Sequence, residues 1–197
     1  VISTHLTVSC QRDGGGRVQF VVASLLDTTE QEAVAAQLRR ATEETVALNR
    51  LSRAVTAQAS LSDTCRVAVD EVAGALAVDA VLLFVLEGEV LLLQAAGPGP
   101  ILPPVDEMPI HRIGECLCGL SARERRPVFS PDVGSDARCT MEECKAAGLR
   151  SFAAFPMLIG DEVAGVLGVA SLAERDFRQS EGFLAGVADQ LALSLHN

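Results

Sequence analysis

Two pairs of apolar runs constrain this chain more than anything else in it. AVLLFVL (Ala80–Leu86) and VLLLQAA (Val90–Ala96) flank Glu87-Gly88-Glu89; FAAFPMLI (Phe152–Ile159) and EVAGVLGVASL (Glu162–Leu172) meet at Gly160-Asp161. Runs of strand length broken by a short glycine-containing turn form β-hairpins. Hairpins at both ends of a sheet make it mainly antiparallel, with helices on one side. Pro156 has no N–H to give a ladder, so its strand should carry a bulge or an edge there.

The remaining segments fit around these hairpins. Leu61-Ser62-Asp63 caps a helix, Thr64 to Leu76, and Ser180 to His196 closes the chain as a second one. Gly97–Pro104 is too rich in glycine and proline for regular structure. Between the hairpins, Gly114 opens a helix, a short strand follows at Pro127-Val128, and a helix begins near Thr140, with Thr140 and Glu143 spaced as a capping box. At the start, HLTVSC and RVQFVVASLLD flank Gly14-Gly15-Gly16 as a further hairpin. Asp27-Thr28-Thr29 caps a run from Glu30 to about Ala59 that holds no glycine or proline. Along it Val34, Leu38, Ala41, Thr45, Leu48, Ser52 and Val55 recur at heptad steps. A seam of this kind reads as a connector that pairs with a second copy, in preference to an amphipathic helix lying on its own domain.

Composition removes several classes of function. A formal net charge of -10 does not suit a phosphate backbone, so no nucleic acid is expected. No apolar run reaches the roughly 20 residues of a membrane span, and VISTHLTVSC lacks the features of a signal peptide. Six cysteines without a secretion signal favour a reducing cytoplasm. The absent initiator Met suggests a piece of a longer protein. No GxxxxGK[ST] and no Gly-x-Ser-x-Gly occurs.

Leu51-x-x-Ala54-Val55-Thr56, Gly114-x4-Gly119 before Pro127-Val128, Arg150-Ser151-Phe152-Ala153-Ala154-Phe155-Pro156 and Gly165-Val166-Leu167-Gly168 together resemble a GAF domain. Met157 is a mild departure from the pattern. The resemblance covers 47–197 and implies an α+β, GAF-like fold: a central, mainly antiparallel sheet with helices, preceded by a β-hairpin and a long connector helix. Residues 1–29, ending in Asp-x-Thr, resemble the C-terminal hairpin of a PAS domain, which leaves 30–59 as the connector. The two resemblances imply a sensory, signal-transducing module of a larger regulator such as a sensor histidine kinase. It would form a homodimer through Val34, Leu38, Leu48, Val55 and the terminal helices, act on a downstream output domain, and not itself be an enzyme. Some GAF-fold proteins reduce methionine sulfoxide with cysteines in this region, which gives an enzymatic alternative. A small-molecule-binding GAF domain without metal is another. Ala173-Glu174-Arg175-Asp176-Phe177 keeps only the Asp-Phe of the family's cyclic-nucleotide motif, and no bilin-binding Cys–His pair is recognisable.

The chemistry concentrates in Cys116-x-Cys118 and Cys139-x4-Cys144. Four thiolates suit an iron–sulfur cluster, or zinc as second choice. The spacing is neither a zinc-finger C-x2-C nor a ferredoxin run, so a reversible thiol switch and plain packing stay open. Cys10 and Cys65 are expected to be packing residues. His111 reads as a solvated loop histidine or a further polar group in the pocket. Glu115, Asp132, Asp136 and Phe152 are candidate pocket residues, and Arg123 to Arg126 a solvated charge run.

Overall fold

The structure, a computed structural model, describes residues 2–56, 60–99, 101 and 109–196. Contacts divide the chain into two units, Val1–Glu43 and Glu44–Asn197.

In the first unit β1 (Thr4–Arg12) pairs antiparallel with β2 (Val18–Asp27). The Asp13 carboxylate accepts from the Gly15 and Arg17 N–H groups, each at 2.9 Å. Gly16 takes the positive φ of 82° that closes the turn. Leu6, Val8 and Cys10 stand opposite Leu25, Ala23 and Val21 and make one continuous apolar face. Cys10, expected to be packed, is exposed, because a two-stranded sheet gives that face nothing of its own to lie under. Helix α1 runs Thr29–Thr56. Its first residue is tied down by the Asp27 carboxylate, which accepts from the Thr29 N–H at 2.9 Å. The expected extension through 57–59 and the Val55 side chain lie outside the described residues. Val34 and Leu38 are exposed, Leu38 at 68%.

The second unit takes in the end of α1, where Ala47 and Leu51 are buried and Leu48 partly so. Helix α2 is Leu61–Leu76, and its cap is Ser60, whose hydroxyl accepts from the Asp63 N–H at 3.1 Å. The helix thus begins a few residues before the expected Thr64. Then come β3 (Ala80–Glu87), β4 (Val90–Gly97), β5 (His111–Arg112), α3 (Cys116–Glu124), β6 (Val128–Ser130), α4 (Glu142–Ala146), β7 (Ser151–Ile159), β8 (Glu162–Ser171), a 3-10 turn (Phe177–Ser180) and α5 (Glu181–His196). The six strands form one antiparallel sheet in the order β5-β4-β3-β8-β7-β6. β7 loses its β6 partner after Ala154 and bulges between Met157 and Leu158. Pro156 therefore sits where one side of the strand is already free, as its missing N–H requires.

Helices cover both faces of this sheet, not one. Val81, Leu83, Ala153, Phe155, Met157, Leu167 and Val169 face α2 and α5. Leu82, Phe84, Phe152, Ala154, Val166 and Ala170 face α3 and the loop and helix that carry Cys139 and Cys144. Strands sandwiched this way need apolar residues at every position, which is why AVLLFVL and FAAFPM do not alternate. The second face is where the thiols lie.

Candidate functional site

Two short segments meet over β3 and β7. One is β5 with the start of α3; the other is the loop and turn from Cys139 to Cys144. Cys116, Cys118, Cys139 and Cys144 are all buried and all unbridged. Together with His111, Leu82, Met141 and Phe152 they line a single void of about 10 Å³.

Backbone constraints bring β5 and α3 together. The Gly114 N–H donates to the Gly119 carbonyl at 2.7 Å, and a Cβ on Gly119 would stand 1.9 Å from the Arg112 carbonyl oxygen. Only glycine permits that approach. Cys116, the first residue of α3, has φ of 52°, a left-handed conformation that costs a residue with a Cβ on the order of 1 kcal/mol. On a regular helix, residues two apart point to different faces. At Cys116 the backbone is left-handed instead, and the Cys116 and Cys118 side chains both line the same void.

His111 Nδ1 lies 3.3 Å from the Cys116 sulfur, and the Cys118 thiol and the Gly119 N–H are the neighbouring groups that favour its ionised form. These groups outweigh burial and hold the Cys116 thiol at about 5, with Cys118 the largest contribution. Cys118, fully enclosed, is pushed well up by Cys116 and by burial. Cys139 is lowered to about 7, chiefly by the Cys144 thiol, and Cys144 is raised by Cys139 and by burial. The Cys139 sulfur also lies 3.9 Å from the Met141 carbonyl oxygen. All four sulfurs line one void.

His111 is 2% exposed, so the expectation of a solvated loop residue is overturned. Its ring lies 4.7 Å from that of Phe84 between centroids, and its Nε2 has no hydrogen-bond partner. The register of β5 against β4 turns it inward, with His111 opposite Leu91. The capping box also fails to form. Helix α4 starts after Met141 with no side-chain cap, and the Thr140 hydroxyl instead accepts from the Cys116 N–H at 3.1 Å. Thr140 thereby links the two cysteine segments, a role its sequence neighbours gave no sign of.

The other expected pocket residues separate. Phe152 lines the void; Glu115, Asp132 and Asp136 do not. Glu115 is exposed ahead of α3. Asp132 accepts from the Ser135 hydroxyl at 2.8 Å and faces Arg150 at 3.7 Å. The Arg138 guanidinium, 2.7 Å away, draws the Asp136 carboxyl down to about 2. Both aspartates hold their loop together. Arg123 to Arg126 are exposed as expected. Cys65 is on the buried face of α2, where burial pushes its thiol up to about 11. A larger recess of about 370 Å³ opens beside β6, among Phe129, Ser130, Arg175, Asp176, Phe177 and Arg178. It is where the Asp176-Phe177 pair falls.

Among the described residues no three His, Cys, Asp or Glu side chains stand in an arrangement that could hold a metal ion. The donor type suits zinc or an iron–sulfur cluster. A void of about 10 Å³ has room for about one water-sized sphere, far less than a cluster needs.

Residues 60–195 match the GAF domain family. The chain belongs to the GAF family. Solved structures agree on the fold. The GAF domain of a phosphoenolpyruvate-protein phosphotransferase from Coxiella burnetii is 22% identical, with 79% of this chain and 94% of that chain covered and a TM-score of 0.70. The corresponding domain from Acinetobacter is 24% identical (78% and 92% covered, TM-score 0.66). Free methionine-R-sulfoxide reductase from Neisseria meningitidis, solved with its substrate, is 15% identical (78% and 88% covered, TM-score 0.67). No curated protein matches the chain. This GAF domain is a regulatory, ligand-binding type of module, and among its described residues no helix is long and apolar enough to cross a membrane.

Proposed function

We propose that this chain is a sensory module of a larger cytoplasmic regulator, of the sensor histidine kinase type. It responds to redox state through the four thiols. The observation that carries the reading is the nest itself: four buried, unbridged thiols lining one void between the sheet and its second helix layer, on segments tied together by the hydrogen bond from the Cys116 N–H to Thr140, 24 residues away. Joining any two of these sulfurs fixes their spacing at that of a disulfide, so α3 and the Thr140–Ala146 segment shift. The signal would pass through α5 and α1 in a homodimer to an output domain.

The test counts reactive thiols in the reduced protein before and after diamide, and follows hydrogen exchange in α3 and the Thr140–Ala146 segment. Loss of two thiols with altered protection there supports the reading. Oxidation with unchanged protection, or no oxidation, removes it.

A zinc ion or an iron–sulfur cluster on Cys116, Cys118, Cys139 and Cys144 is the second reading, favoured by four soft donors sharing one void. It requires the four sulfurs to close around the ion. Metal near one equivalent per chain after anaerobic purification would establish it in place of the free-thiol reading. Turnover of free methionine sulfoxide would instead move the module to the enzymes, as the likeness to the Neisseria reductase allows.

A further inference from the structure

The four thiols are not equivalent, and the difference lies in what surrounds Cys116. It alone combines an imidazole nitrogen at 3.3 Å, a left-handed backbone and a tie from its N–H to Thr140, and it shares the void with Cys118. We propose that Cys116 is a peroxide-reactive thiolate whose sulfenic acid is resolved by Cys118. The inference rests on the redox reading above and names its reactive atom, oxidant class and product.

The oxidant class follows from space and the residue from chemistry. Cys116 is 3% exposed and lines a void of about 10 Å³, so any reagent needs the packing to open, and a reagent of two oxygen atoms needs the least opening. Thiolate, not thiol, is the nucleophile, and Cys116 is the sulfur of the nest with a ring nitrogen within hydrogen-bond reach. In the first step the Cys116 sulfur attacks one oxygen of hydrogen peroxide. The S–O bond forms as the O–O bond breaks, and the departing hydroxide takes a solvent proton and leaves as water. Sulfur is oxidised by two electrons and peroxide reduced by two. In the second step the Cys118 sulfur displaces hydroxide from Cys116–SOH, its own proton leaving with that hydroxide as water, and a disulfide remains. A small dithiol restores the pair by exchange. His111 Nδ1, 3.3 Å from the Cys116 sulfur, holds it at the void, so it acts as a positioning residue.

The experiment treats the reduced chain with one equivalent of hydrogen peroxide and maps the products by peptide mass spectrometry, with dimedone present to trap sulfenic acid. The wild type should give a Cys116–Cys118 disulfide. Cys118→Ser should accumulate the dimedone adduct at Cys116. Cys116→Ser should lose the reaction, while Cys139→Ser and Cys144→Ser keep it. His111→Gln should slow it about tenfold at pH 7 and less at pH 9, a split that a merely structural role would not produce. Sulfenic acid first at Cys139, or a disulfide from Cys118 to the other pair, overturns this assignment and leaves the redox reading standing. Oxidation by diamide but not by peroxide does the same. Inertness of all four thiols to both reagents overturns both.

Discussion

Gly119→Ala is the sharpest probe of how this GAF domain holds its thiols. The new Cβ would sit 1.9 Å from the Arg112 carbonyl oxygen, against a lower bound near 3.0 Å for real contacts. Helix α3 and β5 must therefore separate by about 1.1 Å, since neither atom belongs to a flexible side chain. That displacement, added to the 3.3 Å between Cys116 Sγ and His111 Nδ1, carries the pair to about 4.4 Å, beyond hydrogen bonding even for sulfur. Overpacking of this kind costs about 1–3 kcal/mol, and it leaves the His111 ring with both nitrogens unpartnered in the core. Urea denaturation should show a lowered midpoint at constant slope, with the Cys116 alkylation rate at pH 6 reduced several-fold. Gly182→Ala is the control. Nothing lies within 4 Å of a Cβ at Gly182 in α5, so that change should be neutral or stabilising by up to about 1 kcal/mol. A Gly119→Ala protein with the wild-type midpoint and unchanged Cys116 reactivity would refute the claim that this close approach sets the thiol site.

Three further outcomes are expected. Cys116 should alkylate at a nearly constant rate from pH 6 to 9 and lose reactivity only as pH falls through about 5, because protonation removes the thiolate; Cys65, raised to about 11, should stay inert across that range, and iodoacetamide kinetics with peptide mapping would check both. Asp79 accepts from the Ser171 hydroxyl at 2.8 Å and the Leu172 N–H at 2.9 Å, the latter contributing most to its lowered pKa; its folded pKa lies below the unfolded one, so its stabilisation is present above about pH 4 and fades below it, and Asp79→Asn should cost on the order of 1 kcal/mol at pH 7 but less in unfolding curves at pH 3. Leu38→Glu places a charge on the exposed seam of α1 and should lower the dimer fraction seen by light scattering if α1 is the connector; an unchanged mass would remove that interface.

Much of the fold was legible because it rests on local signals. Glycine turns at Gly88 and Gly160, strand-length apolar runs and a breaker-free helix are properties of neighbours in sequence, and each element lies close to where those signals put it. The second helix layer was misjudged although AVLLFVL carried the clue: a strand without alternation is covered on both sides. The clustering of cysteines into one stretch was likewise plain. What the letters did not hold were relations between segments. His111 is buried because β5 registers against β4 at Leu91, and Thr140 caps nothing because its hydroxyl is taken by Cys116 from another element.

The sequence by itself decided that four thiols would lie between two hairpins of an antiparallel sheet, since periodicity and turn chemistry act over a few residues. Only the tertiary structure decided that they line one void, with an imidazole nitrogen 3.3 Å from one sulfur and a Thr140 hydroxyl 3.1 Å from the same residue's N–H. Those distances come from the left-handed Cys116 and the contact of Gly119 with Arg112, which exist only once β5, α3 and the Thr140 segment are packed over the same face.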